Sequence, residues 1–519
     1  MNVTVDPVPA APRTRGRTRL RFWVPLLVLL VGSVLARLPA LINARGVHSD
    51  AAIVGLQAMH ILDGEWSWFL WGAGYQASLD AALVAAGFAI TGPSALTLMV
   101  VPLIGHLILV GLTFDILRRA VDERCALIAC LPLVFAPQAV NGVALSAPRQ
   151  WSITAVVLSV WLASRSVERP HAARWLAGSG FVAGGAAYLD LFTLQMMPGV
   201  ALFALWCAAS PSPRSPHRVH GLLGGALLGG AVLAWSRMQP VADAGKTGLT
   251  LDRLQANWEL LVETCLPYLL GLKIFIPDGT VGADRWESPW ALQVVQWAGL
   301  LGFLGAFVWA AVTAARRTAP PPLRRLGALG LLVTVSSLGG FLVSSMPVDL
   351  LSARYIAPIV WFAPFLFAPA AATLGARRFG LTLAPYIVAT AVSGWLAFGP
   401  YVDGPIPVRD PRGVAEDEAA LAAELRSRGV EHAAAQYWLS YRLGFLFEED
   451  PVVVPFDEPG DRYRPYRTGF DRAPVVAYIF HPSEPRAEAP PFEVRLQEAG
   501  ERYERVEVSG FTVLVHHRR

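Results

Sequence analysis

The stretch His48-Ser49-Asp50 opens a run from Ala51 to Asp63, and Asp50 is its candidate for chemistry. A carboxylate can take a proton from a hydroxyl when it comes within about 3 Å of it. The plainer use of Asp50 is as a helix cap. Ala52, Leu56, Met59 and Ile61 recur near helical spacing, and an acid at a helix N-terminus meets free amides and the positive end of the dipole. Both readings stay open. Trp66, Trp68, Phe69, Trp71 and Tyr75 follow; they suit a membrane–water interface, and equally a platform for a sugar or a lipid headgroup. Asp63 and Glu65 read as solvated surface, Asp190 as a polar turn or a residue that faces the site from its outer turn, and His48 as a loop histidine or a ligand. Tyr437, Trp438, Tyr441 and Arg442 share one helix start, where they either pack a core or close over a site.

The elements that must hold these residues are membrane helices. The 519 residues are 54% hydrophobic and 16% charged, against about 25% charge in a soluble domain. A net charge of +4 spread over short loops offers no nucleic-acid face. Cys125, Cys130, Cys207 and Cys265 have neither metal nor disulfide spacing, and the first three lie in apolar runs. After a basic tail (Arg13, Arg15, Arg17, Arg19, Arg21), the run Phe22 to Leu41 is long enough to span a bilayer of about 30 Å.

The positive-inside rule then fixes the topology. If Leu79 to Ile90 crossed, most later arginines, among them Arg118, Arg165, Arg214, Arg316 and Arg377, would face outward. If it lies at the outer surface, they fall in short cytoplasmic loops. The spans are expected near 22–42, 98–117, 125–141, 150–164, 174–189, 191–209, 219–238, 289–314, 326–345, 355–375 and 380–400. The expected architecture is an α-helical polytopic membrane protein of about eleven spans. It has a cytoplasmic tail (1–21), a membrane domain (22–400) with an interfacial segment in its first outer loop, and a small outer α/β domain (401–519). In that last domain Glu416 to Arg428 reads as an amphipathic helix, and Val452–Pro455, Pro474–Phe480, Val506–Ser509 and Thr512–His516 as strands.

An acid just after the first span, a short helix ending in "ILDGEW", and "WGAGYQASLDAALVAAGFAITGPSALTLMVVPLIGHL" together resemble membrane glycosyltransferases of the GT-C architecture. The similar branch is the bacterial one related to protein O-mannosyltransferases and to the aminoarabinose transferase acting on lipid A. "ALIACLPLVFAPQAV", "LLSARYIAPIVWFAPFLFA" and "AQYWLSYRLGFLFEEDPVVVPFD" add to the match in the same order. The resemblance implies an inverting transfer outside the membrane, from a sugar linked to polyprenyl phosphate to an acceptor hydroxyl. The acceptor class, whether lipid, polysaccharide or protein, stays open. Asp50 matches the family's general base.

A lipid-phosphate leaving group needs fixed positive charge nearby. The outer-facing cations are Arg149, Arg237, Lys273 and Arg354. Lys273 and Arg354 match family neighbourhoods that bind lipid phosphate, and Arg149, Trp71, Tyr75 and Tyr355 complete the expected substrate-binding set. Their plainer uses are snorkelling, or pairing with Asp349 or Asp278. Some relatives hold a divalent metal with a second acid where this chain has "NGVALSAPRQW", with Arg149 and no carboxylate, so no metal and no other cofactor is expected.

Two other classes remain. A transporter or flippase would show paired inverted repeats and charges within its spans, whereas here Asp115 is the main one expected. A non-catalytic binder of lipid-linked sugar is the third reading. The abundance of Arg, Ala and Pro, with no organelle signal, points to a bacterial inner membrane.

Overall fold

The computed structural model describes residues 17–42, 44, 47–210, 217–238, 250–278, 282–398, 411–482 and 488–518. Most of the basic tail, Arg214 and the junction near residue 401 lie outside them. The chain runs through α1 (Arg17–Ile42), α2 (Ser49–Leu62), a hairpin of β1 (Phe69–Leu70) and β2 (Ala73–Ala77), and α3 (Leu79–Thr91). There follow α4 (Ala95–Leu117), α5 (Glu123–Val134), α6 (Gln138–Leu145), α7 (Gln150–Ser166), α8 (Ala172–Leu189), a 3-10 turn (Leu191–Met196), α9 (Met197–Ala208) and α10 (Arg218–Ser236). Next come α11 (Leu251–Leu260), α12 (Leu266–Leu269) and the hairpin of β3 (Ile274–Asp278) and β4 (Gly282–Trp286). The membrane part closes with α13 (Trp290–Ala315), α14 (Pro321–Val343), a 3-10 turn (Leu350–Ile356), α15 (Pro358–Trp361) and α16 (Ala363–Phe398).

The chain is a multi-pass membrane protein. Among the described residues seven helices are long and apolar enough to cross a bilayer, or eight when α5 and α6 count as one broken span. The expected number is larger for three physical reasons. Helix α7 has 17 residues, just short of a full span; α8 is rich in small residues and carries Arg174; and α16 is two helices joined at Gly375, whose φ of 71° and ψ of 163° break the spiral. With 13 residues, α3 is ~20 Å long and too short to cross.

The expected span 125–141 is broken. Helices α5 and α6 meet at 81°, next to Pro137, which sits at the N-terminus of α6. The carbonyls freed at the break are taken up by polar side chains from other helices. Arg37, 1% exposed, donates to the Leu133 and Val134 carbonyls, and a ring nitrogen of His106 lies 3.0 Å from the Leu133 carbonyl. A buried arginine inside a span is costly unless so engaged. Asp115 is therefore not the only buried ionisable group of the membrane part.

Helices α8 and α10 pack backbone against backbone. A Cβ built on Gly180, Gly184, Gly221, Gly225 or Gly229 would lie well inside van der Waals contact with backbone atoms of the facing helix. Small residues at this spacing let membrane helices approach closely. Gly225→Leu is expected to destabilise the protein by at least about 1–3 kcal/mol, seen as a lowered Tm in detergent; Gly224→Leu, which faces open space, is the matched control.

The C-terminal part holds α17 (Pro411–Ser427), β5 (His432–Ala435), α18 (Tyr437–Leu446), β6 (Val452–Pro455), α19 (Arg464–Arg472), β7 (Val475–Phe480), α20 (Ala489–Glu498), β8 (Arg502–Val508) and β9 (Phe511–His517). Its sheet order is β6-β5-β7-β9-β8. Strand β5 is parallel to both β6 and β7, while β9 is antiparallel to β7 and β8. The domain shares a core with the first loop: Ala52, Ile53 and Leu56 of α2 and Phe88 of α3 cluster with Tyr441 and Phe445 of α18. The C-terminal part thus sits on the same side as α2.

Candidate active site

Asp50 is in the first turn of α2, but it does not cap the helix. His48 does, its Nδ1 accepting from the Asp50 backbone N–H at 3.3 Å. Burial holds the His48 pKa below its ordinary value, which keeps that nitrogen free to accept. The Asp50 carboxylate instead meets Arg354, whose Nη1 lies 3.2 Å from Oδ2, and its side chain is 26% exposed. Burial pushes the Asp50 pKa up, but Arg354, His48, Arg462 and Arg149 together outweigh burial and hold it below the usual carboxylate value.

Three arginines from three segments converge here. Arg354 rides on the 3-10 turn fixed by a reciprocal Asp349–Ser352 capping box, and also donates to the Tyr355 hydroxyl at 3.4 Å. Arg149 ends the loop between α6 and α7, so the break beside Pro137 sets its place. Its φ of 122° costs an L residue roughly 1–3 kcal/mol. It is held by an ion pair to Asp190 at 2.9 Å and by the rings of Phe192 and Tyr355, 4.6 and 5.4 Å away. The Tyr355 ring therefore neighbours both guanidiniums, with Arg354 5.3 Å from its centre. Asp190, 1% exposed, is no plain turn residue: it also accepts from Gln76 at 2.9 Å, tying β2 to Arg149.

Arg462 comes from the soluble domain. It donates to the Gly72 carbonyl at 2.6 Å and to the Tyr437 hydroxyl at 2.9 and 2.7 Å. Tyr75, on β2 and largely buried, feels Arg462, Arg149, Tyr355 and Asp50.

The expected residues Asp50, Arg354, Arg149, Tyr355 and Tyr75 thus come together. Lys273 does not join them: its ammonium is engaged by the Glu263 carbonyl, and it is not among the main charges acting on Asp50. Arg237 donates to the Gly74 carbonyl at 3.0 Å and so braces the hairpin. Trp71, 7% exposed, stacks on Tyr463 at 4.1 Å in the interdomain core. Trp66 and Trp68 remain half exposed, as interfacial anchors do.

Glu65, read from the sequence as solvated surface, helps lock the two domains. His60 lies between Glu65, 2.7 Å away, and Glu449, 2.8 Å away; Tyr463 donates to Glu65 and Tyr466 to Glu449. The hydrogen bond to Glu449 lifts the His60 pKa to about 9, with burial opposing and Glu65 adding. Because the docked value is raised, this contribution to docking is complete below about pH 6.5 and is lost as pH rises through about 9. The Tm gap between wild type and His60→Gln is expected to be wide near pH 6 and to close above about pH 9, as read by scanning fluorimetry.

Among the described residues no three His, Cys, Asp or Glu side chains converge to hold a metal. Asp50 faces guanidiniums rather than a second acid, and this donor set does not suit a divalent cation. What it suits is a base beside fixed positive charge.

The fold is that of the GT-C membrane glycosyltransferases. Residues 77–235 match the family model described as dolichyl-phosphate-mannose-protein mannosyltransferase. The crystal structure of ArnT from Cupriavidus metallidurans in the apo state is similar with a TM-score of 0.59 and 11% identity, over 96% of this chain and 98% of that one. The same protein bound to undecaprenyl phosphate is similar with a TM-score of 0.60 and 11% identity, over 97% and 98%. No curated protein matches the sequence.

Proposed function

We propose that the chain is an inverting glycosyltransferase that moves a sugar from a polyprenyl-phosphate donor to an acceptor hydroxyl at the outer face of a bacterial inner membrane. The observation that carries this reading is the Asp50–Arg354 pair, a partly exposed carboxylate and a guanidinium 3.2 Å apart with Arg149 and Arg462 acting on the same carboxylate. In the reaction Asp50 takes the acceptor hydroxyl proton as the oxygen attacks the anomeric carbon. The bond from that carbon to the phosphate oxygen breaks, and the phosphate keeps the electron pair. Arg354 and Arg149 meet the charge that develops there, in the way fixed cations lower such barriers. Tyr355, flanked by both, and Tyr75 line the donor's path. That ArnT has been solved with undecaprenyl phosphate supports a lipid-phosphate ligand for this fold.

The test uses the purified full chain in nanodiscs, given undecaprenyl-phosphate sugars carrying a radiolabel in the sugar. The expected result is release of undecaprenyl phosphate with the label moved to an added lipid, polysaccharide or protein acceptor. In proteoliposomes, intact donor carried across the bilayer without cleavage would instead establish the flippase reading. Binding of the donor with neither transfer nor transport would establish a non-catalytic binder.

A further inference from the structure

We infer that Arg462, carried by the soluble domain, is a phosphate-binding residue of the membrane-domain site, and that the site is incomplete until that domain docks. The inference rests on the lipid-phosphate reading above.

The argument starts from how the three guanidiniums are neutralised. Arg354 has Asp50 and Arg149 has Asp190 as ion-pair partners. Among the described residues Arg462 hydrogen-bonds to neutral oxygens, the Tyr437 hydroxyl and the Gly72 carbonyl, and Asp50 acts on it without contact. A partly buried cation with no carboxylate in contact is costly, and it can take an anion. A guanidinium has five N–H groups; three of them have described partners, Nε and one N–H on each of Nη1 and Nη2. Each terminal nitrogen therefore keeps one donor for an anion's oxygens. The charge lies beside the site: Arg462 holds Tyr437, whose carbonyl accepts from Ser49 next to Asp50, and it is one of the cations that depress Asp50.

The position is built rather than incidental. The Arg462 backbone N–H donates to the Tyr441 hydroxyl at 2.5 Å, and that hydroxyl donates to the Gly460 carbonyl at 3.2 Å. On the facing hairpin Gly72 has φ +61°, and a Cβ there would strike Arg462, its backbone Cα included. Any other residue at 72 would push the guanidinium out. Loop 457–463 and the β1–β2 hairpin thus meet at a contact that holds this charge near Asp50.

Undecaprenyl phosphate affinity is measured for the full chain in nanodiscs, with hydrogen exchange of Phe69–Ala77 reporting docking. Arg462→Gln is expected to weaken binding at least about tenfold, the size of a lost charge-assisted contact, and Arg462→Lys to recover part of it, since it restores the charge but not the fork. Carbodiimide labelling of Asp50, read by mass spectrometry, is expected to shift to higher pH in Arg462→Gln and not in Arg462→Lys. A tether without ligand contact would leave Lys as poor as Gln, with faster exchange in the hairpin for both, and would overturn the inference. So would unchanged affinity in Arg462→Gln. If the wild type itself fails to bind undecaprenyl phosphate, the lipid-phosphate reading falls and this inference with it.

Discussion

Asp50→Asn is expected to lower sugar transfer by about 10²–10⁴-fold, the usual worth of a positioned general base, while the lipid phosphate still binds. The amide keeps the shape and a hydrogen-bond acceptor for Arg354 but cannot take the acceptor's proton. A second consequence separates this from simple damage. In the wild type the Asp50 carboxylate occupies Arg354 at 3.2 Å, so a phosphate must compete for that guanidinium. The neutral asparagine competes less, and undecaprenyl phosphate is expected to bind more tightly to the variant. Transfer assays on membranes and lipid titration of the purified variant give the two readouts. Undiminished transfer would remove Asp50 from the mechanism.

Arg354→Gln has the next largest effect, a fall of about 10²–10³-fold in kcat, as for loss of one fixed donor to a developing oxyanion. Lipid affinity falls with it. The pH profile supplies the specific signature. Asp50 acts as the unprotonated base, and in the wild type neighbouring cations hold its pKa below the ordinary carboxylate value, so the acid limb of the profile lies below that value. Without Arg354, burial is opposed by less positive charge and the pKa of Asp50 rises. The acid limb of kcat/KM therefore moves toward neutral pH. Arg354→Lys restores a charge but not the forked geometry, and the limb is expected to return most of the way while kcat recovers less.

What the sequence made legible depended on how locally each feature is written. Helix length and arginine placement gave the membrane class, and the acid after the first span stood out because few charges lie near it. Strand Val452–Pro455 read directly from its β-branched run, whereas the neighbouring inner strand His432–Ala435, with sequence HAAA, has no such signal. Arg37 was hidden inside an apolar run, since the carbonyls that make it tolerable belong to a helix break almost a hundred residues away. Arg462 sits in "GDRYRPYR", which reads only as a polar loop. Its partner Gly72 is 390 residues away, and no spacing rule reaches that far. For Asp190 the sequence left two readings open for the same reason: its ion pair with Arg149 is made by the fold. Lys273 and Trp71 were plausible by type, but the fold engages Lys273 with the nearby Glu263 carbonyl and Trp71 with the distant Tyr463 ring.

The shared core between α2 and α18 has a consequence in time. Ser49 and the Gly72 hairpin are made early, yet their partners Tyr437 and Arg462 lie 388 and 390 residues later. At about 5–20 residues per second, the ribosome needs roughly 20–80 s to supply them. Throughout that interval the apolar face of α2 is uncovered and the carboxylate it carries has no finished surroundings. Until Tyr437 and Arg462 have been made and delivered to the side of the membrane that carries α2, that face stays exposed to proteases and wrong partners.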